Sequence, residues 1–100
     1  MENFIAISFF LNIIVVTAEE AIELFDLARK QFETCAQIRP SDHEIYFNWG
    51  NSLLKQVQLL IQQGDQSNIQ ALLSTSGEKY LNSLHLSANY FPALYNWSKV

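Results

Sequence analysis

Apolar residues recur every three or four positions along the chain from Thr17 onward. The first such run consists of Ala21, Leu24, Phe25, Ala28, Phe32 and Cys35. An α-helix has 3.6 residues per turn, so this spacing places all of these side chains on one side of a helix. The pattern predicts a helix over residues 17–38, with Cys35 as a small buried residue on its apolar stripe.

Capping residues and helix breakers divide the rest of the chain into three more helices. Pro40 ends the first helix, because it cannot donate a backbone hydrogen bond, and Gly64 interrupts the periodic pattern further on. A capping box, in which Ser or Thr is followed three residues later by Glu or Gln, occurs at Thr17–Glu20, Ser41–Glu44 and Ser67–Gln70. These signals predict helices over 42–63, 67–88 and 91–100. No strand-like alternation follows residue 17, so the expected fold is all-α, built from antiparallel helix pairs.

Residues 1–16 form a separate apolar segment before the predicted helical domain of residues 17–100. From Phe4 to Val16 only Ser8 and Asn12 are polar. The run is shorter than the roughly 20 residues of an ordinary membrane span. Three interpretations stay open: a secretory signal, although Glu2 and no basic residue precede the run; a segment packed on the helices; or an artefact of how the coding sequence was delimited. Association with a membrane is therefore undecided.

Composition and charge narrow the classes of function. The chain is 49% hydrophobic and 16% charged, which is typical of a globular protein. Its formal net charge is -4, and no basic stripe is present to contact phosphates, so we expect no nucleic-acid partner. The single cysteine cannot form an internal disulfide, which favours a reducing compartment and a cytoplasmic location, unless residues 1–18 direct the chain to a membrane or out of the cell.

Residues able to support catalysis or metal binding are isolated from one another. His43 and His85 have no partner at metal-ligand spacing, and Cys35 has no neighbouring base. The sequence contains no glycine-rich phosphate loop. It therefore predicts no enzyme activity, no metal site and no cofactor.

The chain repeats part of its own sequence at a shift of 48 residues. The aligned pairs are Phe32 with Tyr80, Cys35 with Ser83, Ile38 with Leu86, Phe47 with Tyr95, Asn48 with Asn96, and Trp49 with Trp97. Self-similarity at a fixed period is typical of a solenoid, in which each unit buries its apolar face against its neighbours.

These residues resemble the tetratricopeptide repeat (TPR), a pair of helices with aromatic, small and proline positions at fixed spacing. Ala28, Phe32 and Pro40 match its second helix, with Cys35 at a position usually taken by alanine. Tyr46, Trp49, Gly50 and Leu53 match the first helix of the next unit, where Gly50 would let the neighbouring helix approach closely. The residues that this resemblance places in the repeat core are Ala28, Phe32, Cys35, Pro40, Tyr46, Trp49, Gly50, Leu53, Tyr80, Ser83 and Trp97.

The repeat departs from the TPR pattern in two ways. Its period of 48 residues exceeds the usual period of about 34. The excess is close to four helical turns, so both helices can lengthen without turning their apolar stripes apart. In the second copy Ser98 replaces Gly50, and Ala88 stands where Pro40 stood. The resemblance implies a short TPR-like α-solenoid of about two elongated repeats, the second incomplete. More loosely, the chain is similar to the elongated repeats of the plant-type mitochondrial import receptor.

The resemblance also implies a function, because TPR proteins bind peptides or partner helices in a concave groove lined by the first helix of each pair. In this sequence the groove residues would be Phe47, Asn51, Leu54, Lys55, Gln58, Tyr95 and Lys99. Two alternatives stay open: Phe47 and Tyr95 stack in the core, and Asn48 and Asn96 bridge adjacent helices.

The sequence therefore predicts a protein-interaction scaffold. The alternatives are a membrane-tethered or exported receptor of the same type, and a fragment of a larger repeat protein without a function of its own. The last helix carries Leu94, Tyr95 and Trp97 with no following helix to cover them, which predicts self-association through that helix.

Overall fold

The computed structural model describes residues 18–100, with side chains from Glu20 onward. In that range four α-helices follow one another: α1 (Ala18–Ile38), α2 (His43–Gln62), α3 (Ile69–Leu86) and α4 (Phe91–Trp97). Residues 18–100 contain no strand, so the all-α prediction is confirmed for this part of the chain. The apolar run of residues 4–16 and the Thr17–Glu20 capping box lie outside the described residues.

The start of α2 is capped by Asp42 and not by Ser41. The Asp42 side chain accepts a hydrogen bond from the backbone N–H of Glu44 at 3.0 Å, and the Asp42 backbone is extended. An aspartate satisfies a free N–H group at a helix start, and its negative charge also complements the helix dipole. The predicted Ser41–Glu44 capping box is therefore wrong, because an effective capping residue lies one position later.

Gly64 forms the turn after α2 with a φ of 74°, a left-handed conformation that glycine adopts without steric cost. The N–H groups of Gln63 and Asp65 donate to the carbonyls of Leu59 and Leu60, so two of the last carbonyls of α2 are satisfied. The predicted break at Gly64 therefore has a physical basis in the C-terminal cap of the helix.

Ser67 belongs to this turn and does not cap α3. Its backbone N–H and its hydroxyl both donate to Asp65 Oδ1, at 3.0 and 2.6 Å, and these bonds lower the pKa of the Asp65 carboxyl. The N-cap of α3 is Asn68, which makes no side-chain capping bond. The predicted Ser67–Gln70 capping box is wrong, because Asp65 competes for the Ser67 side chain.

Consecutive helices pack on one another: α1 on α2, α2 on α3, and α3 on α4. Ser76 of α3 contacts Gly50 of α2, whereas Tyr80 lies next to Phe47. The later residue of α3 thus meets the earlier residue of α2, so these two helices are antiparallel. None of the helices in residues 18–100 is both long enough and apolar enough to cross a membrane.

Most of the buried residues lie on α2 and α3. They are Gly50 and Val57 on α2, and Ser76, Gly77, Tyr80 and Ser83 on α3. Among the described side chains of α1 and α4, only the small residues Ala21 and Ala93 are buried. The centre of the molecule is therefore the α2–α3 pair.

Four residues predicted for the apolar core or stripe are exposed instead. They are Leu24, Cys35, Pro40 and Trp97. Leu24 and Cys35 lie on α1, which packs chiefly on α2, and one neighbour covers only a narrow stripe of a helix. The apolar spacing of α1 was interpreted correctly as helical, but the prediction that Cys35 is buried is wrong.

Candidate protein-interaction surface

The closest approach between α2 and α3 occurs at Gly50. A Cβ atom added there would lie 2.8 Å from Cε1 and 2.9 Å from Cδ1 of Tyr80, nearer than real Cβ atoms come to other atoms. Tyr80 has no solvent-exposed surface, and the Ser76 hydroxyl donates to the Gly50 carbonyl at 2.9 Å. The absence of a side chain at residue 50 thus makes room for the Tyr80 ring.

Asn51 connects three helices through its side-chain oxygen. The Tyr80 hydroxyl donates to Asn51 Oδ1 at 2.5 Å, and Asn96 Nδ2 of α4 donates to the same atom at 2.8 Å. A carbonyl oxygen accepts two hydrogen bonds, so this acceptor is fully used inside the protein. Burial raises the pKa of Tyr80, while hydrogen bonds with Ser76 and Asn96 act in the opposite direction. The Asn51 oxygen is therefore committed to holding α2, α3 and α4 together.

Phe47 lies among aromatic rings and not on an open groove. Its ring centroid is 6.1 Å from that of Tyr80 and 5.1 Å from that of Tyr90, and the second contact is edge-to-face. Tyr90 also makes an edge contact with His43, at 4.5 Å between the centroids. Aromatic pairs at these distances favour such tilted arrangements. Phe47 therefore packs among other rings, close to what the core-stacking alternative expected. Tyr95, the other residue of that alternative, is 63% exposed and does not fit it.

The two sequence-aligned asparagines differ in their environments. Asn96 is half-buried and bridges to Asn51, as the bridging alternative expected. Asn48 is exposed on α2. Bridging therefore holds for Asn96, whereas the exposed position of Asn48 does not fit it.

The remaining predicted groove residues are Leu54, Lys55 and Gln58 on α2, Tyr95 on α4 and Lys99 just after it; we call this set the α2/α4 rim. Leu54 is half-buried, and the other four residues are exposed. Tyr95 is 63% exposed, and the Lys99 ammonium lies 4.2 Å from its ring centroid. This surface therefore combines one exposed aromatic ring with two cations and an amide.

Helix α4 runs in the same direction as α2. Tyr90 contacts His43 and Phe47 near the start of α2, and Asn96 contacts Asn51 one turn further along. Tyr90 and Asn96 therefore contact α2 along the first half of its predicted groove face. The second half of that face, beyond Asn51, belongs to the α2/α4 rim.

Trp49 sits where α1, α2 and α3 meet. Its ring stacks on Phe32 of α1 with 5.9 Å between the centroids and 12° between the planes, and the Lys79 ammonium of α3 lies 3.9 Å from its centroid. A crevice of about 130 Å³ opens beside the indole. The residues that line it are Phe25, Asp26, Arg29, Trp49, Ser52, Leu53, Gln56 and Leu72.

Trp97 has different surroundings, although it aligns with Trp49 in sequence. Its Cδ1 and Nε1 atoms approach α3 at Gly77, 4.0 Å from where a Cβ atom would stand, and the side chain is 40% exposed. Trp49, by contrast, contacts a ring on one side and a cation on another. The two tryptophans therefore do not lie in the same environment.

A broad groove between α3 and α4 was not predicted from the sequence. Its volume is about 460 Å³, and it is lined by Gln70, Leu73, Ser74, Gly77, Glu78, Leu81, Trp97 and Val100. Leu73, Gly77 and Leu81 follow one another at four-residue spacing, so they lie on one side of α3. This spacing is the sequence signal that would have revealed the groove.

Among the described residues, no group of three or more His, Cys, Asp or Glu side chains is arranged to hold a metal ion. No protein-family model matches this chain, and neither curated proteins nor solved structures give a match. The candidate surfaces therefore rest on the contacts within the chain itself.

Proposed function

We propose that this chain is a protein-interaction module that binds a peptide or a partner helix on the α2/α4 rim. The observation that carries the proposal is the exposed ring of Tyr95 with the Lys99 ammonium against it. Lys55 and Gln58 on α2 are exposed as well. Tyrosine is enriched among residues that dominate binding energy at protein interfaces.

Hydrogen bonds within the chain hold in place the helices that carry the rim. The hydrogen bonds from Tyr80 and Asn96 to Asn51 fix α4 against α2 and α3. Binding then costs less conformational entropy, because the helices that present Lys55 and Tyr95 are already in place. These hydrogen bonds support a binding role for the exposed side chains of the rim.

The side chains of the rim indicate the chemistry of the partner. Two ammonium groups favour a segment that carries carboxylates, and the Tyr95 ring and Leu54 offer apolar contact to an aliphatic or aromatic anchor. Gln58 adds an amide that can pair with peptide backbone. We therefore expect an acidic segment with an apolar anchor, either extended or an amphipathic helix.

The proposal includes a TPR-like arrangement, in which α2 and α3 form one helix pair and α4 begins the next. The alignment at 48 residues and the close approach at Gly50 support it. The different surroundings of Trp49 and Trp97 weigh against strict equivalence of the two copies. The binding role of the rim does not depend on that equivalence.

A peptide-selection experiment tests the binding role. A random peptide library is selected on the full-length chain, and the binding of enriched peptides is measured by fluorescence anisotropy. We expect acidic peptides with an apolar anchor, and we expect Tyr95→Ala or Lys55→Glu to weaken them by about tenfold or more, equivalent to roughly 1.4 kcal/mol.

Lys30→Glu is the matched control, since Lys30 is an exposed lysine on α1, away from the rim. It makes the same change of charge as Lys55→Glu and is expected to leave peptide affinity within about twofold, a difference of roughly 0.4 kcal/mol. Peptides that respond equally to both charge reversals, or that ignore Tyr95→Ala, would contradict binding at the rim.

A further inference from the structure

Helices α1 and α3 align in sequence, but α1 exposes residues whose counterparts on α3 are more buried. Ser83 on α3 is fully buried, whereas the aligned Cys35 on α1 is exposed. Leu86 lines a crevice with Tyr46 of α2 and is 43% exposed, whereas the aligned Ile38 is 73% exposed. The side of α3 that meets α2 therefore has an uncovered counterpart on α1.

We call this uncovered surface the α1 face, defined by Leu24, Leu27, Cys35 and Ile38. The four residues are exposed and recur at spacings that keep them on one side of the helix. Three of them are large aliphatic side chains, so the face is apolar. The exposed Gln31 lies on the same side between Leu27 and Cys35, so the apolar residues form two patches, Leu24 with Leu27 and Cys35 with Ile38. Exposed apolar patches on a helix can mark places where another element packs.

Helix α4 carries the complementary half of the same contact. The α4 face is defined by Phe91, Leu94, Tyr95 and Ser98, all of which are exposed. At the shift of 48 residues these align with His43, Tyr46, Phe47 and Gly50 of α2. In α2 the last two hold Tyr80 of α3. The α4 face thus corresponds to the surface with which α2 receives α3.

We infer that the α4 face of one copy binds the α1 face of a second copy, as α2 binds α3 within one chain. The inference rests on the repeat equivalence in the proposed function, and it names the partner helix of α4. Because the two faces differ, each copy can bind one neighbour through its α4 face and another through its α1 face, which is head-to-tail association. Such copies form a closed ring or an open chain, depending on the rotation between neighbouring copies.

The same alignment gives the orientation of this contact. Ser98 corresponds to Gly50, and Ala28 of α1 corresponds to Ser76, which donates to the Gly50 carbonyl. The two helices would therefore lie antiparallel, as α2 and α3 do, with the C-terminal end of α4 against the middle of α1.

Sedimentation velocity of the full-length chain gives the first test, from low micromolar to roughly 100 μM, because association follows mass action. We expect the average mass to rise above the 11.5 kDa of one chain as concentration increases. A monomer at every concentration would overturn the inference. So would association that begins only after residues 1–17 are deleted, because that segment would then occupy the α1 face.

Two single variants test the head-to-tail geometry. Leu94→Asp places a charge on the α4 face, and Leu27→Asp places one on the α1 face; both positions are exposed, and circular dichroism checks that the helices persist. Each variant alone is expected to stay monomeric. An equal mixture is expected to form a dimer and nothing larger, because each variant keeps the half that the other has lost.

A variant that still assembles alone, or a mixture that stays monomeric, would overturn head-to-tail pairing. Like-with-like pairing of either face leaves one of the two variants dimeric by itself, so it is also detected. Lys55→Glu separates this inference from the peptide-binding proposal: it is expected to weaken peptide binding while the mass distribution stays unchanged, since Lys55 lies outside both faces.

Discussion

Helices α1 and α3 share an apolar pattern but differ in how much of it they bury. α3 packs against both α2 and α4 and buries Ser76, Gly77, Tyr80 and Ser83. α1 packs chiefly on α2, and Ala21 is the one residue buried among its described side chains. The spacing of apolar residues thus defines a face, whereas the number of neighbouring helices decides how much of that face is removed from water.

The two contacts also differ in chemistry. The α2–α3 contact contains a buried hydrogen bond from Ser76 to Gly50 and a partly buried one from Tyr80 to Asn51. The α1–α2 contact centres on the stacked rings of Phe32 and Trp49. Buried polar pairs demand one geometry, because an unmatched donor or acceptor is costly, whereas stacked rings tolerate small shifts. The α2–α3 pair is therefore the better defined of the two.

The largest effect is expected at Tyr80. Tyr80→Ala removes a fully buried ring, and we expect the free energy of unfolding to fall by about 3–5 kcal/mol. Urea denaturation followed by circular dichroism measures it. Ile61→Ala is the control on α2 and is expected to change the value by less than about 1 kcal/mol, since that side chain is exposed and lies outside the rim and both faces. Similar losses for both would contradict the central place of the α2–α3 pair.

The tryptophans test how equivalent the two repeat copies are. Trp49→Ala removes a ring stack and a cation–π contact, so we expect a loss of about 2–4 kcal/mol. Trp97→Ala is expected to cost less, about 1–3 kcal/mol, because 40% of the surface of that residue already faces water. Chemical denaturation gives both values. Equal losses would show that the two positions are energetically alike despite their different neighbours.

The glycines of α2 and α3 offer a matched pair. Gly50→Ala forces the buried Tyr80 ring to move, and we expect a loss of about 1–3 kcal/mol. At Gly77 the nearest atom to an added Cβ, on Val100, is 3.5 Å away. Gly77→Ala should therefore be neutral or stabilise the helix by up to about 1 kcal/mol. Thermal or urea unfolding measures the stability of both variants. If Gly50→Ala left the free energy of unfolding unchanged, the close approach of Tyr80 to residue 50 would be refuted.

The smallest effect concerns the Tyr80 hydroxyl. Tyr80→Phe removes its hydrogen bond to Asn51 and is expected to cost about 1 kcal/mol near neutral pH. Because the pKa of Tyr80 is raised above its ordinary value of 10.0, the unfolded chain loses this proton at a lower pH than the folded chain. Its contribution is therefore complete below pH 10 and is lost as the pH rises through the folded pKa.

Urea denaturation of the wild type and of Tyr80→Phe, at about pH 8 and about pH 11, measures how much the Tyr80 proton contributes to stability. The wild type should lose more stability than Tyr80→Phe over this interval, and other titrating groups cancel in the comparison. An equal alkaline loss in both proteins would show that the Tyr80 proton is not linked to folding.

Much of the helical layout was predictable from local signals. Periodic apolar residues and the breaks at Pro40 and Gly64 located the helices, with ends that differ from the structure by up to three residues. The choice of capping residue was less predictable, because Asp42 and Asn68 lie next to other good candidates. Neighbouring side chains such as Asp65 then decided the outcome through their own hydrogen bonds.

The candidate site was predicted less completely. Lys55, Gln58, Tyr95 and Lys99 are exposed residues that the repeat pattern assigned to a binding surface. The same pattern also assigned Phe47 and Asn51 to it, whereas the structure places them in contacts among α2, α3 and α4. The contacts of Tyr90 and Asn96 with α2 made the difference, and helical periodicity contains no information about them.

By itself, the sequence determined which segments are helical, which side of each helix is apolar and where a side chain had to be absent, at Gly50. These are local properties, because a helix closes its hydrogen bonds within four residues and its breakers act on adjacent positions. Only the tertiary structure decided that Cys35 is exposed while Ser83 is buried, and that Asn51 joins three helices. The partners of Asn51, Tyr80 and Asn96, are 29 and 45 residues away in sequence. Their placement, like the burial of Ser83, is set by how the helices pack together.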